Sequence, residues 1–323
     1  MADATPGVPA PEPRRLARLA ARVAAWPLWV LLTVMALMLG TVIGVAAAAP
    51  HYIAPPPVLR TSVSESPTPS PAPTPPGTAP SLPALADAVR ALETQDHVSL
   101  GVAIMPVFAG STPPAPAWHA GTLTGGLAWA TIDLPVAIAV AGMSPQPHDL
   151  TYLLDRAFSD ASGAGDQALW QFLGDNGRAA AATTQVLRAG GDTTTVVPVG
   201  TTGTYPVFDQ TYWALGNQAT WLGSMYCMPD SWRVQVRLHQ APDDRAFGLA
   251  TLPNAQTKTA WGTQDNGSLT LRQVGILPLP AGDTVAVTIA VAPMDGALTT
   301  ATTVVDQLAQ IIRASASGFG GTC

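Results

Sequence analysis

Lysine is almost absent from this chain: Lys258 is its only one, so arginine makes up nearly all of the 15 basic residues. Charge of either sign is scarce, at 11% of residues, and the formal net charge is −6. Nucleic acids are bound through a basic surface, so this balance argues against a nucleic-acid partner. Only two cysteines occur, Cys227 and Cys323, and their spacing is not that of a metal site. The five histidines, His51, His97, His119, His148 and His239, also lack ligand spacing. Neither a metal nor a cofactor is expected. No internal repeat is visible, which argues against a solenoid or propeller.

What the chain does have is a long uncharged run. Trp26 to Ala49 is apolar throughout. As a helix it reaches about 36 Å, enough to cross a hydrocarbon core of about 30 Å with some tilt. Arg14, Arg15, Arg18 and Arg22 precede it, and only Arg60 follows closely. The positive-inside rule then predicts a single-pass membrane protein with residues 1–25 in the cytoplasm and the remainder outside. A cleaved signal peptide is the rival reading, with Ala46 to Ala49 resembling a cleavage region. Residues 50–83 are dense in Pro, Ser and Thr. Such a linker cannot build a core and favours extended polyproline II, spanning up to about 90 Å.

Residues 84–323 are long enough to bury a core as one large domain. Both cysteines fall here, in one compartment. If it is oxidising, a Cys227–Cys323 disulfide follows; otherwise they are two separate thiols.

Periodicity predicts a helix over Leu82–Glu93, a strand over Val98–Val107 and a returning strand over Trp118–Leu127. A helix is expected to start near Thr131, and 150–190 to be mostly helical with a break at Gly163. Strands are expected at Phe247–Leu252, Thr257–Gly262, Ser268–Leu277 and Thr284–Ala292, with a hairpin turn at Asn266-Gly267. A last helix covers Thr299–Ala314. The order is that of an α+β fold: an antiparallel sheet flanked by helices, with an inserted helical subdomain.

Three stretches carry a family resemblance. Gly126 to Pro135 resembles the hairpin-to-helix junction of the class A β-lactamase and penicillin-binding-protein superfamily, which in active members carries Ser-x-x-Lys. Here Ala130 stands at the serine position and Asp133 at the lysine position. Arg156 to Trp170 resembles the Ser-Asp-Asn region. One alignment places Ala161-Ser162-Gly163 on the motif, another Ser159-Asp160-Ala161, and neither supplies the asparagine. Thr257 to Gly262 resembles the Lys-Thr-Gly strand, with Lys258 and Thr259 retained and Ala260 in place of glycine. Leu271 to Ile276 continues the hairpin as in membrane-anchored actinobacterial relatives. No match to the deacylating glutamate is found.

The resemblance spans about residues 84 to 315. It implies a serine-hydrolase fold without its nucleophile, with Ala130, Asp133, Ala161 and Gly163 at degenerate catalytic positions. Lys258, Thr259 and Asp133 are the ligand-binding candidates. For Lys258, a contact to a ligand carboxylate stands beside an exposed strand lysine or an ion pair to Asp133. Asp133 is either a new base or metal ligand, or a dipole-complementing first-turn acid. Tyr205, Tyr212, Trp213, Trp221 and Tyr226 form an aromatic stretch that lines a groove or packs the core. The expected function is a pseudoenzyme: a tethered envelope domain that binds a cell-wall peptide, a glycan or an envelope protein. The alternative is a hydrolase acting on β-lactam or peptidoglycan-type substrates through an unorthodox residue set.

Overall fold

The computed structural model describes residues 81–323 apart from 160–162, 204, 240, 265–266 and 281. The expected membrane span and nearly all of the linker lie outside the described residues. Among the described residues, no helix is long and apolar enough to cross a membrane.

The domain begins with α1 (Pro83–Gln95), whose proline sits where a helix loses no hydrogen bond. Leu85, Val89 and Leu92 recur at helical spacing and are its buried face. Five strands form one antiparallel sheet: β1 (Val98–Pro106), β2 (Trp118–Gly121), β7 (Gln256–Thr263), β8 (Leu269–Pro278) and β9 (Thr284–Pro293). Their order is β2-β1-β9-β8-β7, which leaves β7 at an edge. The register pairs Lys258 with Val274 and Gln273 with Ile289.

The sheet is covered on both sides, so its central strands are buried at nearly every position rather than at alternate ones. Leu100, Val102, Ile104, Val287 and Ile289 meet α1 and the last helix, α8 (Leu298–Ser315). Ala103, Met105, Val274, Ala286 and Ala290 face the opposite way, towards the helical block. That block comprises α2 (Asp133–Ala141), α3 (Leu150–Ser159), α4 (Ala164–Phe172), α5 (Asn176–Ala189), α6 (Leu215–Met225) and α7 (Trp232–Leu238). Two short ribbons complete the fold. In one, β3 (Gly125–Leu127) pairs with β6 (Tyr212–Ala214); in the other, β4 (Thr201–Thr202) pairs with β5 (Tyr205–Pro206).

Two expected strands are corrected. Trp118–Leu127 is not one strand, because the chain turns at Gly121, with φ +97°. The Glu93 carboxylate then accepts from the backbone N–H and hydroxyl of Thr122 and from the N–H of Leu100. This capture carries the chain out of the sheet, and β3 finds β6 instead. Phe247–Leu252 is not a strand but a 3₁₀ turn over Gly248–Thr251. Its first donors go to side chains: Gly248 N–H to Asp306 and Leu249 N–H to Gln273. The hairpin turn between β7 and β8 is present, with Gly267 at φ +81°; Asn266 lies outside the described residues.

Gly101 shows how closely β1 is overlaid. A Cβ there would collide with the Leu123 carbonyl and lie 2.6 Å from Leu215 Cδ1. Gly101→Ala is expected to cost about 1–3 kcal/mol by overpacking. Urea denaturation checks this, and an unchanged midpoint would show that the Leu123 segment yields.

The cysteines are joined: Cys227 and Cys323 form a disulfide, with Cα atoms 5.5 Å apart. The tail is also held by a two-way backbone bridge between Thr284 and Gly321. Phe319 is buried beside it.

Candidate functional site

A cleft of about 500 Å³ opens where edge strand β7 meets the turn before α2 and the start of α4. Ala130, Asp133, Gly163, Lys258, Thr259 and Ala260 all line it, so the structure converges the three sequence stretches on one place. Ala161 lies outside the described residues. Trp129, Asp166, Phe208, Asp209, Arg245 and Trp261 complete much of the wall.

The turn carrying Ala130 is a 3₁₀ segment over Trp129–Ile132 that runs into α2. Trp129 enters it at φ +47°, a conformation that is rare and costly for a bulky side chain. On β7, Gly262 makes room for the indole, since a Cβ there would lie 2.7 Å from the Trp129 ring. The turn is braced from behind. Gln218 Nε2 donates to Thr131 Oγ1 at 2.9 Å, and Thr131 Oγ1 donates to the Ala128 carbonyl at 2.5 Å. Arg272 donates to Gln218 Oε1 at 3.1 Å and to the Trp213 carbonyl at 2.7 Å. Its guanidinium is fully buried, and that burial brings its pKa down to about 10. Thr131 is itself fully buried. It therefore offers no replacement nucleophile for Ala130, whose side chain is a methyl group.

Asp133 is the first residue of α2 and only 1% exposed. Lys258 Nζ lies 3.0 Å from its Oδ2, donates to the Ala157 carbonyl at 2.9 Å and sits 4.5 Å from the centre of the Phe158 ring. Lys258 is itself 5% exposed. Of the readings open for this lysine, the exposed strand position is ruled out and the ion pair to Asp133 is observed. Its charge is compensated inside the protein.

Burial pushes the Asp133 carboxyl well above the usual carboxylate range. Lys258 opposes that shift, and Asp166, within hydrogen-bonding reach, reinforces it. Burial likewise raises Asp209; its own and Gln210's backbone N–H groups oppose the rise, and the Asp166 charge adds to it. Arg245 lies 3.8 Å from Asp244 and 5.4 Å from the centre of the Trp261 ring. The cleft is thus an acid-rich, aromatic-walled site whose two cations each have an acidic neighbour.

Sequence reasoning did not single out Asp166, Asp209, Trp129 or Phe208. Asp166 sits four residues before Trp170, at the end of the second matched stretch, and proximity to that motif was the one available signal. Asp209 had none. Of the aromatic stretch, Trp213 and Trp221 are buried in the core and Tyr212 is exposed, and none of these lines the cleft. Among the described residues no cluster of His, Cys, Asp and Glu has metal-binding geometry, and His97, His119, His148 and His239 are exposed.

No family model matches the chain, and no curated protein is significantly similar in sequence. Solved structures do match. The TLA-1 extended-spectrum β-lactamase superposes with a TM-score of 0.57 at 12% identity, covering 72% of this chain and 98% of that one. The chromosome-encoded β-lactamase of Vibrio parahaemolyticus gives 0.51 at 14%, covering 71% and 97%. The class A β-lactamase of the last common ancestor of Gram-negative bacteria gives 0.52 at 17%, covering 72% and 98%. The fold is that of the class A β-lactamases, as the sequence resemblance implied.

Proposed function

We propose that this domain is a non-acylating, ligand-binding member of the β-lactamase-like fold, a pseudoenzyme held outside the cell membrane. The observation that carries the reading is the pairing of Asp133 with Lys258 beneath Ala130. An acylating site needs a nucleophile and a base or lysine to tune its proton. Here the first position is a methyl group and the second an acid locked to the strand lysine. Loss of such a nucleophile costs about 10⁶ in rate in a triad enzyme. What persists is an open cleft with aromatic walls, which supports binding a small ligand or the end of an envelope peptide or glycan.

The anchored location rests on the sequence: the apolar run 26–49, its arginine flank and the Pro-rich linker. The disulfide supports it, since such bonds persist in oxidising compartments. The test is incubation of the purified chain with a fluorescent penicillin, followed by denaturing electrophoresis. No retained label is expected. An adduct that survives denaturation overturns the reading.

One feature favours the hydrolytic alternative: Asp133 and Asp166 line the same cleft and the Asp166 charge helps to raise the Asp133 carboxyl, which suits acid–base work on a bound water. Turnover of a β-lactam or a peptidoglycan fragment that disappears in Asp133→Asn would establish that alternative.

A further inference from the structure

We infer that the cleft takes a ligand bearing an ammonium group on an apolar or aromatic body. This inference rests on the proposed reading of the cleft as a binding site. Among the described residues, four aspartates border it, Asp133, Asp166, Asp209 and Asp244, against two cations, Lys258 and Arg245. Lys258 is not placed to receive a ligand carboxylate. It is buried against Asp133 and the Ala157 carbonyl, while Arg245 lies over Trp261 with Asp244 3.8 Å away and its own Nε buried without a hydrogen-bond partner among the described residues. The lysine that would mark an anion site from sequence is satisfied internally.

The second observation concerns Asp133 itself. Its Oδ2 faces Lys258, but its Oδ1 is buried with no hydrogen-bond donor among the described residues, although the residue lines the cleft. Its other neighbour is a carboxyl, Asp166, and two carboxylates are both acceptors. A buried acceptor without a donor is costly. Either a proton or an N–H from a ligand removes that cost, and an ammonium supplies three such donors with the compensating charge. Asp209, on the same wall, adds a further acid. Trp129 and Trp261 line the same cleft, and aromatic rings suit an apolar body and favour a cation near them.

The test uses two probes of matched body and opposite charge, phenethylamine and 3-phenylpropionate. Each is titrated into the full chain, with tryptophan fluorescence and saturation-transfer NMR as readouts. The amine is expected to bind and the carboxylate not to. Asp209→Asn, a neutral substitution of the same shape, is expected to weaken the amine by about tenfold, with circular dichroism confirming that the variant is folded. Should it not fold, Trp261→Leu supplies the same comparison, because it removes a cleft wall without touching an acid. Equal or better binding of the carboxylate overturns the inference, as do amine binding unaffected by the cleft variant and the absence of binding by either probe. The two readings fail separately. A penicillin adduct overturns the non-acylating reading whatever the amine does, whereas carboxylate preference without an adduct overturns the ligand class alone.

Discussion

Lys258→Met is expected to destabilise the domain by about 3–5 kcal/mol at neutral pH, the cost of leaving a buried charge without its partner. Methionine keeps most of the side-chain volume, so the loss reports charge rather than a cavity. The orphaned group is Asp133, which is 1% exposed and has Asp166 as its remaining close neighbour in the cleft.

The pH dependence separates this cause from lost packing. Burial holds the carboxyl of Asp133 well above the usual carboxylate range in the folded protein, and Lys258 is the largest influence holding it down. Without the lysine the folded pKa moves further up. Between the unfolded and folded values, the folded state keeps a proton that the unfolded state has released, so stability falls as pH rises. Below the unfolded carboxylate range both states are protonated and the carboxylate cost is absent. The variant's deficit is therefore smallest in acid and widens as pH climbs, until the variant's own folded pKa is passed. Urea denaturation of both proteins across the acid-to-neutral range measures it. A deficit of constant size would show that Asp133 does not depend on Lys258.

The second large effect is expected from Cys227→Ser with Cys323→Ser. The bond closes a loop with a sequence separation of 96 residues. In the chain-entropy model a loop of that order is worth up to about 4.7 kcal/mol, and removing native disulfides typically costs about 2–5 kcal/mol. The tail would keep the Thr284–Gly321 bridge and the buried Phe319. Detachment of the tail should therefore precede loss of the sheet. Thermal melts of the double variant, and of the parent with and without reductant, test this. Equal melting temperatures would mean that the docked tail alone suffices. Probe binding in the cleft should be unchanged, because neither cysteine borders it.

Legibility from sequence followed the range of the interactions. The strands β7, β8 and β9 were readable because their signals are local: β-branched and apolar residues, with a turn pair between the first two. The departure of β3 was not readable, because it depends on Glu93, 29 residues before Thr122. The turn at Gly248 was hidden for the same reason: Asp306, on α8, and Gln273, on β8, satisfy its donors. In the site, Ala130, Asp133 and Lys258 were found through motif order, and two of them proved to be an ion pair. Asp209 lies between short elements with no pattern of its own, and only the fold brings it to the same wall. The positive φ of Trp129, whose ring packs against Gly262, is invisible in the residue type.

The Asp133–Lys258 pair also bears on descent. Each residue is tolerable in its buried place only while the other is present. A change at Asp133 alone strands an ammonium, and a change at Lys258 alone strands a carboxylate. The two positions are therefore expected to vary together, not singly, among homologues that share this buried pair.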